Sequence, residues 1–135
     1  MFAKKSLEKI LTLISLLYLA IILFSRFEYS LQKIFDPDEM THLHTTYLMT
    51  VGQLPFRDFF TGHLPFINFL LFPLFKILPE GPAVLIFARI VIFVINCGSL
   101  FLLYKIAKKI NLPAWAAVTA GILLLVSPFS FERLF

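Results

Sequence analysis

The sequence predicts an all-α integral membrane protein, with three transmembrane helices plus two amphipathic or interfacial helices in the first outer loop. Three observations carry this. Hydrophobic residues make up 59% of the chain and charged residues 15%, where an ordinary soluble domain carries ~25% charged residues. The mean hydropathy is +0.89. The apolar residues fall in long runs bounded by lysines, not in short alternating stretches. The same composition excludes disorder. A single cysteine, Cys97, inside an apolar run excludes a disulfide scaffold.

The first run, Leu7 to Phe27, is polar at its centre only at Thr12, Ser15 and Tyr18, and Lys4, Lys5 and Lys9 precede it. A basic start before an apolar core also marks secretory signals, but Ser25-Arg26-Phe27-Glu28-Tyr29 offers no small-residue cleavage site. It reads as an uncleaved anchor. The run from Leu64 to Leu78 is about 15 residues, short for a span, and contains Pro65, Asn68 and Pro73. Ala83 to Tyr104 is long enough to cross and is followed by Lys105, Lys108 and Lys109. Pro113 to Phe129 is just long enough.

Lysines flanking a span favour the cytoplasmic side. Both lysine clusters reach that side only if an even number of crossings separates them. Spans 7–27 and 83–104 supply two, so the 64–78 helix lies at the outer interface with its Phe-rich face in lipid. The expectation is a multi-pass protein of the cell membrane with a cytoplasmic N-terminus and an extracytoplasmic loop over 28–82. Four spans, with one lysine cluster outside, is the alternative. Arg89 lies near the outer end of its span, where snorkelling accounts for it. Six of the 12 basic residues are the flanking lysines just named, so the net charge of +4 does not indicate a nucleic-acid partner.

The outer loop holds the chemistry. Asp36-Pro37-Asp38-Glu39 opens a helix over 37–51. Asp36 suits the N-cap, Pro37 the first helical position, and Glu39 the third residue of a capping box. Gly52 and Pro55 end it. Met40, Leu43, Tyr47, Leu48 and Val51 form an apolar stripe at helical spacing. Asp38, His42 and Thr45 share the opposite face, and His44 falls nearer the stripe. The helix is therefore expected to lie on the membrane with its acidic end in water. Capping and the helix dipole explain Asp36 and Glu39 without a function, and they explain Asp38 least. Asp38 and His42, four residues apart with His44 close by, form a candidate divalent-cation set, and no other cofactor is read from the sequence. Downstream, Arg57, Asp58 and His63 stand in an aromatic stretch between turn residues. Arg57 and Asp58 could form a local pair. Alternatively Arg57 and His63 form an anion site, since arginine presents a planar fork to phosphate oxygens.

These motifs together resemble the first outer loop of GT-C type membrane glycosyltransferases. The resemblance rests on Asp36-Pro37-Asp38-Glu39-Met40-Thr41-His42-Leu43-His44, then Gly52-Gln53-Leu54-Pro55-Phe56-Arg57-Asp58-Phe59-Phe60 and His63-Leu64-Pro65. A span with Arg89 near its start and one ending in Ser127-Pro128 complete it. The group is similar to dolichyl-phosphate-mannose protein mannosyltransferases and lipid A aminoarabinose transferases. The resemblance implies inverting transfer of a sugar from a polyprenyl-phosphate carrier to an acceptor on the extracytoplasmic side. It implies Asp38 as the base, beside Glu39. It also makes Arg57 and His63, with Asp58 and His42, the candidate substrate and phosphate set. A carboxylate ionised at neutral pH can take the acceptor proton, and the departing phosphate needs donors. Members of the group are several times longer. The resemblance thus implies an N-terminal fragment, inactive alone, with the polyprenyl-phosphate-sugar donor and membrane lipids as partners. The competing expectation is a complete small three-span protein that serves as an interaction or lipid-binding subunit.

Overall fold

A computed structural model of the chain describes residues 2–78 and 81–127. Five helices run in order: α1 (Phe2–Gln32), α2 (Pro37–Thr50), α3 (Phe66–Ile77), α4 (Pro82–Lys109) and α5 (Ala114–Val126). Among the described residues there is no strand, and the one β-bridge joins Pro55 to Phe59. The all-α class is therefore observed.

Among the described residues two helices are long and apolar enough to cross a membrane: Lys5–Gln32 within α1, and α4. α1 continues past the expected boundary at Phe27, because neither Arg26 nor Glu28 stops a helix and no breaker comes before Pro37. α5 has 13 residues, so it rises about 20 Å against a hydrocarbon core of ~30 Å. Ser127 closes it by donating its backbone N–H to the Leu123 carbonyl (3.1 Å). Residues 128 and 129 of the expected third span, including Pro128 of the Ser-Pro motif, lie outside the described residues.

The helix ends follow local chemistry. After α2, Gly52 adopts φ +90. Its N–H bonds the Met49 carbonyl (3.1 Å) and that of Gln53 bonds the Leu48 carbonyl (3.1 Å), which is the Schellman arrangement. Asn111 does the same after α4 at φ +59. There Asn111 bonds Lys108 and Leu112 bonds Ala107.

The chain forms two compact units. The first holds α1, α4 from Ile92 onward, and α5. In it α5 packs on α1, with Ser15 and Thr119 hydroxyls 3.5 Å apart and Arg26 donating to the Leu125 carbonyl. Phe27 meets Phe93 with ring centroids 5.2 Å apart. A Cβ on Gly121 would come within 3.2 Å of the Leu100 side chain, so glycine permits that approach. The second unit, Lys33–Val91, holds α2, α3 and the start of α4.

The second unit buries polar side chains beside the apolar Met49, Leu71, Val84 and Ala88. Glu39, His42, Thr45, Thr46, Asn68 and Arg89 are buried, while Met40, Phe66, Phe69, Leu70 and Ile77 are exposed. α3 turns Asn68 and Leu71 inward and presents Phe66, Phe69, Leu70, Pro73 and Ile77 outward.

The face of α2 corrects the sequence expectation. Its apolar stripe was expected to cover the membrane side and its His42–Thr45 face to meet water. Of that polar face His42 and Thr45 are instead buried, while its Asp38 stays exposed, and the stripe residues Met40, Tyr47 and Val51 are exposed. The reason is that α3 and α4 offer α2 polar partners, Asn68 and Arg89, as described next.

Candidate functional site

The second unit gathers the candidate residues at the first turns of α2. Asp36 caps the helix: its Oδ1 accepts the Asp38 N–H at 3.0 Å, and Lys33 stands 3.1 Å from its other oxygen. The Asp38 N–H bond, then Lys33, hold the Asp36 carboxyl below the usual range. The reciprocal half of the capping box is long. The Asp36 N–H reaches Glu39 Oε2 at 3.5 Å.

Glu39 has stronger bonds elsewhere. Arg89 Nε donates to its Oε1 at 2.7 Å and Nη2 to its Oε2 at 2.8 Å. Glu39 is 1% exposed and Arg89 6%. This is a bidentate, desolvated pair linking α2 to α4. Arg89 therefore does not snorkel as expected; it turns inward to a carboxylate 50 residues away in sequence.

Asp38, one residue earlier, points the other way. Its side chain is 60% exposed, and Oδ1 lies 3.9 Å from His63 Nε2. The His63 ring packs at a tilt against His42, with centroids 4.9 Å apart. Thr61 holds the His63 backbone through its hydroxyl, which lies 3.4 Å from both the N–H and the carbonyl oxygen. His42 is fixed from α3. Asn68 Nδ2 donates to the His42 carbonyl at 2.7 Å and to Thr46 Oγ1 at 3.1 Å. The Thr46 hydroxyl donates to the same carbonyl at 2.8 Å. Burial holds the His42 imidazole below the usual histidine range; a hydrogen bond with Asn68 and the charge of Asp38 oppose this, and His63 adds to it.

Asp38, His42 and His63 are thus brought together. Arg57 and Asp58 form a separate pair. Arg57 Nε lies 3.0 and 3.1 Å from the two Asp58 oxygens, and Nη2 lies 2.7 Å from Oδ2. Asp58 Oδ2 also accepts the Leu54 N–H at 2.7 Å. The Arg57 bonds, then the Leu54 N–H, hold the Asp58 carboxyl down, and Asp58 pushes the Arg57 guanidinium up. His44 lines an apolar groove with Met40, Leu43 and Tyr47, away from His42. Among the described residues no group of three or more His, Cys, Asp or Glu is arranged to hold a metal ion.

Two members of this assembly were not singled out from the sequence for their contacts. The role of Arg89 had a signal: an arginine in an apolar helix needs an anion, and a buried acid follows. Asn68 had a weaker one, a lone amide in a Phe-rich helix whose polar group must find partners when buried. Compared with protein-family models, curated proteins and solved structures, the chain matches none of them.

Proposed function

We propose that the chain contributes the acceptor-activating site of an inverting membrane glycosyltransferase that uses a polyprenyl-phosphate-linked sugar on the extracytoplasmic side. In this reading α1 and α4 cross the membrane with both lysine clusters in the cytoplasm. α5 begins a third crossing, and residues 28–82 lie outside.

The observation that carries the reading is the division of labour between adjacent carboxylates. Glu39 is consumed by Arg89 and fixes the helix. Asp38 stands exposed on that fixed turn beside His63, open to a substrate. Asp38 takes the proton of the acceptor hydroxyl as its oxygen bonds the anomeric carbon. The carbon–oxygen bond to the carrier breaks on the opposite face, and its electron pair leaves with the phosphate. His63, 3.9 Å from Asp38 Oδ1, borders the base and in this reading donates to a phosphate oxygen of the carrier. Arg57 is held by Asp58 in its own turn and has no role at the phosphate in this reading. Glu39 is a positioning residue here, since its oxygens are both engaged. His42 backs the His63 ring and acts through it.

The test is sugar transfer by membranes that express the chain within the longer enzyme the resemblance implies, supplied with a panel of polyprenyl-phosphate sugars. Asp38→Asn is expected to lower transfer by about 10²-fold or more at unchanged protein level. Undiminished transfer by that variant overturns the assignment of the base.

A further inference from the structure

We propose that the turn at residues 54–60 is an aromatic anchor that inserts into the outer surface of a phospholipid bilayer. The proposal rests on α4 crossing that bilayer and not on the transfer chemistry.

The turn is rigidly built. Leu54 receives the Asp58 N–H at 2.9 Å and the Arg57 N–H at 3.3 Å on its carbonyl, and gives its own N–H to the Asp58 carboxylate at 2.7 Å. The Phe56 N–H bonds the Phe59 carbonyl at 2.8 Å. Phe56 sits at φ +64, a conformation that side chains other than those of glycine and asparagine adopt at a cost. Glycine would relieve that cost, yet the position carries a large ring turned outward. Phe56 and Phe60 stand edge to face with centroids 6.3 Å apart. They are 58% and 86% exposed, and Leu64 and Phe66 follow at 83% and 79%. The fold fixes these side chains in place without covering them.

Three features commit this surface to lipid. Exposed apolar side chains recur along α3 at Phe69, Leu70 and Ile77. The same unit contains the start of α4, which has span length and apolar composition from Pro82 onward, so the bilayer reaches this unit through its own helix. The turn is also net neutral. Arg57 and Asp58 pair with each other, the 65%-exposed Arg57 side chain left for the polar headgroup layer, and the backbone groups named above bond within the turn. A polar loop can approach hydrocarbon only when its charges are paired and its N–H and C=O groups are satisfied.

The experiment places a tryptophan at the tip, Phe60→Trp, in the full chain carrying Trp115→Phe. The protein is reconstituted in phosphatidylcholine–phosphatidylglycerol bilayers. Some carry bromine near the top of the acyl chain and some near its end. At this exposure the larger indole meets no packing. A second reporter, Val94→Trp in α4, reads the crossing itself. The expected result is that Trp at position 60 loses most of its emission to bromine near the top of the chain and little to aqueous acrylamide. Trp at position 94 is expected to be quenched by the deeper bromine. Quenching of position 60 by acrylamide but not by lipid overturns the anchor, and so does shielding from both, which means a protein covers it. If position 94 also escapes lipid quenching, the membrane reading falls and the anchor falls with it.

Discussion

Replacing Arg89 tests what holds the candidate base in place. Arg89 and Glu39 share two hydrogen bonds of 2.7 and 2.8 Å and are almost fully desolvated. Removing one partner strands the other charge in the interior, which costs roughly 3–5 kcal/mol, whereas replacing both with apolar side chains of similar volume is often near neutral. Each 1.36 kcal/mol is a factor of ten, so Arg89→Met should lower amide protection of α2 by roughly 10²-fold to several thousand-fold. Glu39→Met should do the same, and the double variant should recover most of the loss. Hydrogen exchange of the 37–50 segment in detergent or bilayers measures this, because exchange reads the local opening free energy. The double-mutant cycle isolates the pair term from losses in packing. If each single variant lowers protection less than tenfold, or if the double variant is as poor as the sum of the singles, the pair does not anchor α2. The division of roles between Glu39 and Asp38 would then lose its basis.

Three further outcomes are expected. Asn68→Leu removes the donor to the His42 carbonyl and Thr46 hydroxyl and should destabilise the α2–α3 pair by about 1–3 kcal/mol, read as exchange of both helices. Gly52→Ala forces a Cβ into φ +90 and should cost roughly 1 kcal/mol, seen as faster exchange at residues 49–53; an unchanged rate would remove the Schellman turn from the argument. His42 gives a pH dependence. Its folded pKa lies below the ordinary 6.5, so the unfolded chain binds the proton more readily and stability rises with pH between the folded and unfolded values. The contribution is complete above about 6.5 and is lost as pH falls towards the folded pKa. His42→Gln should abolish that limb of a pH–stability curve.

What the sequence made legible is local. The cap at Asp36, the helix from Pro37 and the glycine stop at Gly52 each depend on hydrogen bonds spanning a few residues. Their chemistry is therefore written in adjacent positions. The apolar runs of α1 and α4 are equally local, since length and composition decide them. The inward face of α2 was not legible. Periodicity separates two faces but does not say which one is covered; that depends on what α3 and α4 present. Asn68 and Arg89 present polar groups, and they draw the polar face of α2 inward. Likewise Arg57 and Asp58 could be read as a pair or as an anion site, because only the turn geometry decides whether the guanidinium is already engaged.

The adjacency of Asp38 and Glu39 then has a geometric reason. Consecutive residues on a helix are rotated by about 100°, so two neighbouring carboxylates in a first turn cannot serve the same surface. One turned onto α4 leaves the other facing out, and anything that rigidifies the first restricts the position of the second. Residues one helical turn apart would share a face and compete for the same arginine. A pair at successive positions therefore separates anchoring from exposure within a single turn. It follows that exchanging the two, Asp38→Glu with Glu39→Asp, should not be neutral. The shorter side chain at position 39 would fall short of Arg89 by about one methylene. α2 protection should drop toward that of the Arg89 variant even though the net charge and both carboxylates are kept. A fully protected swapped variant would show that charge alone, and not its reach, holds the turn.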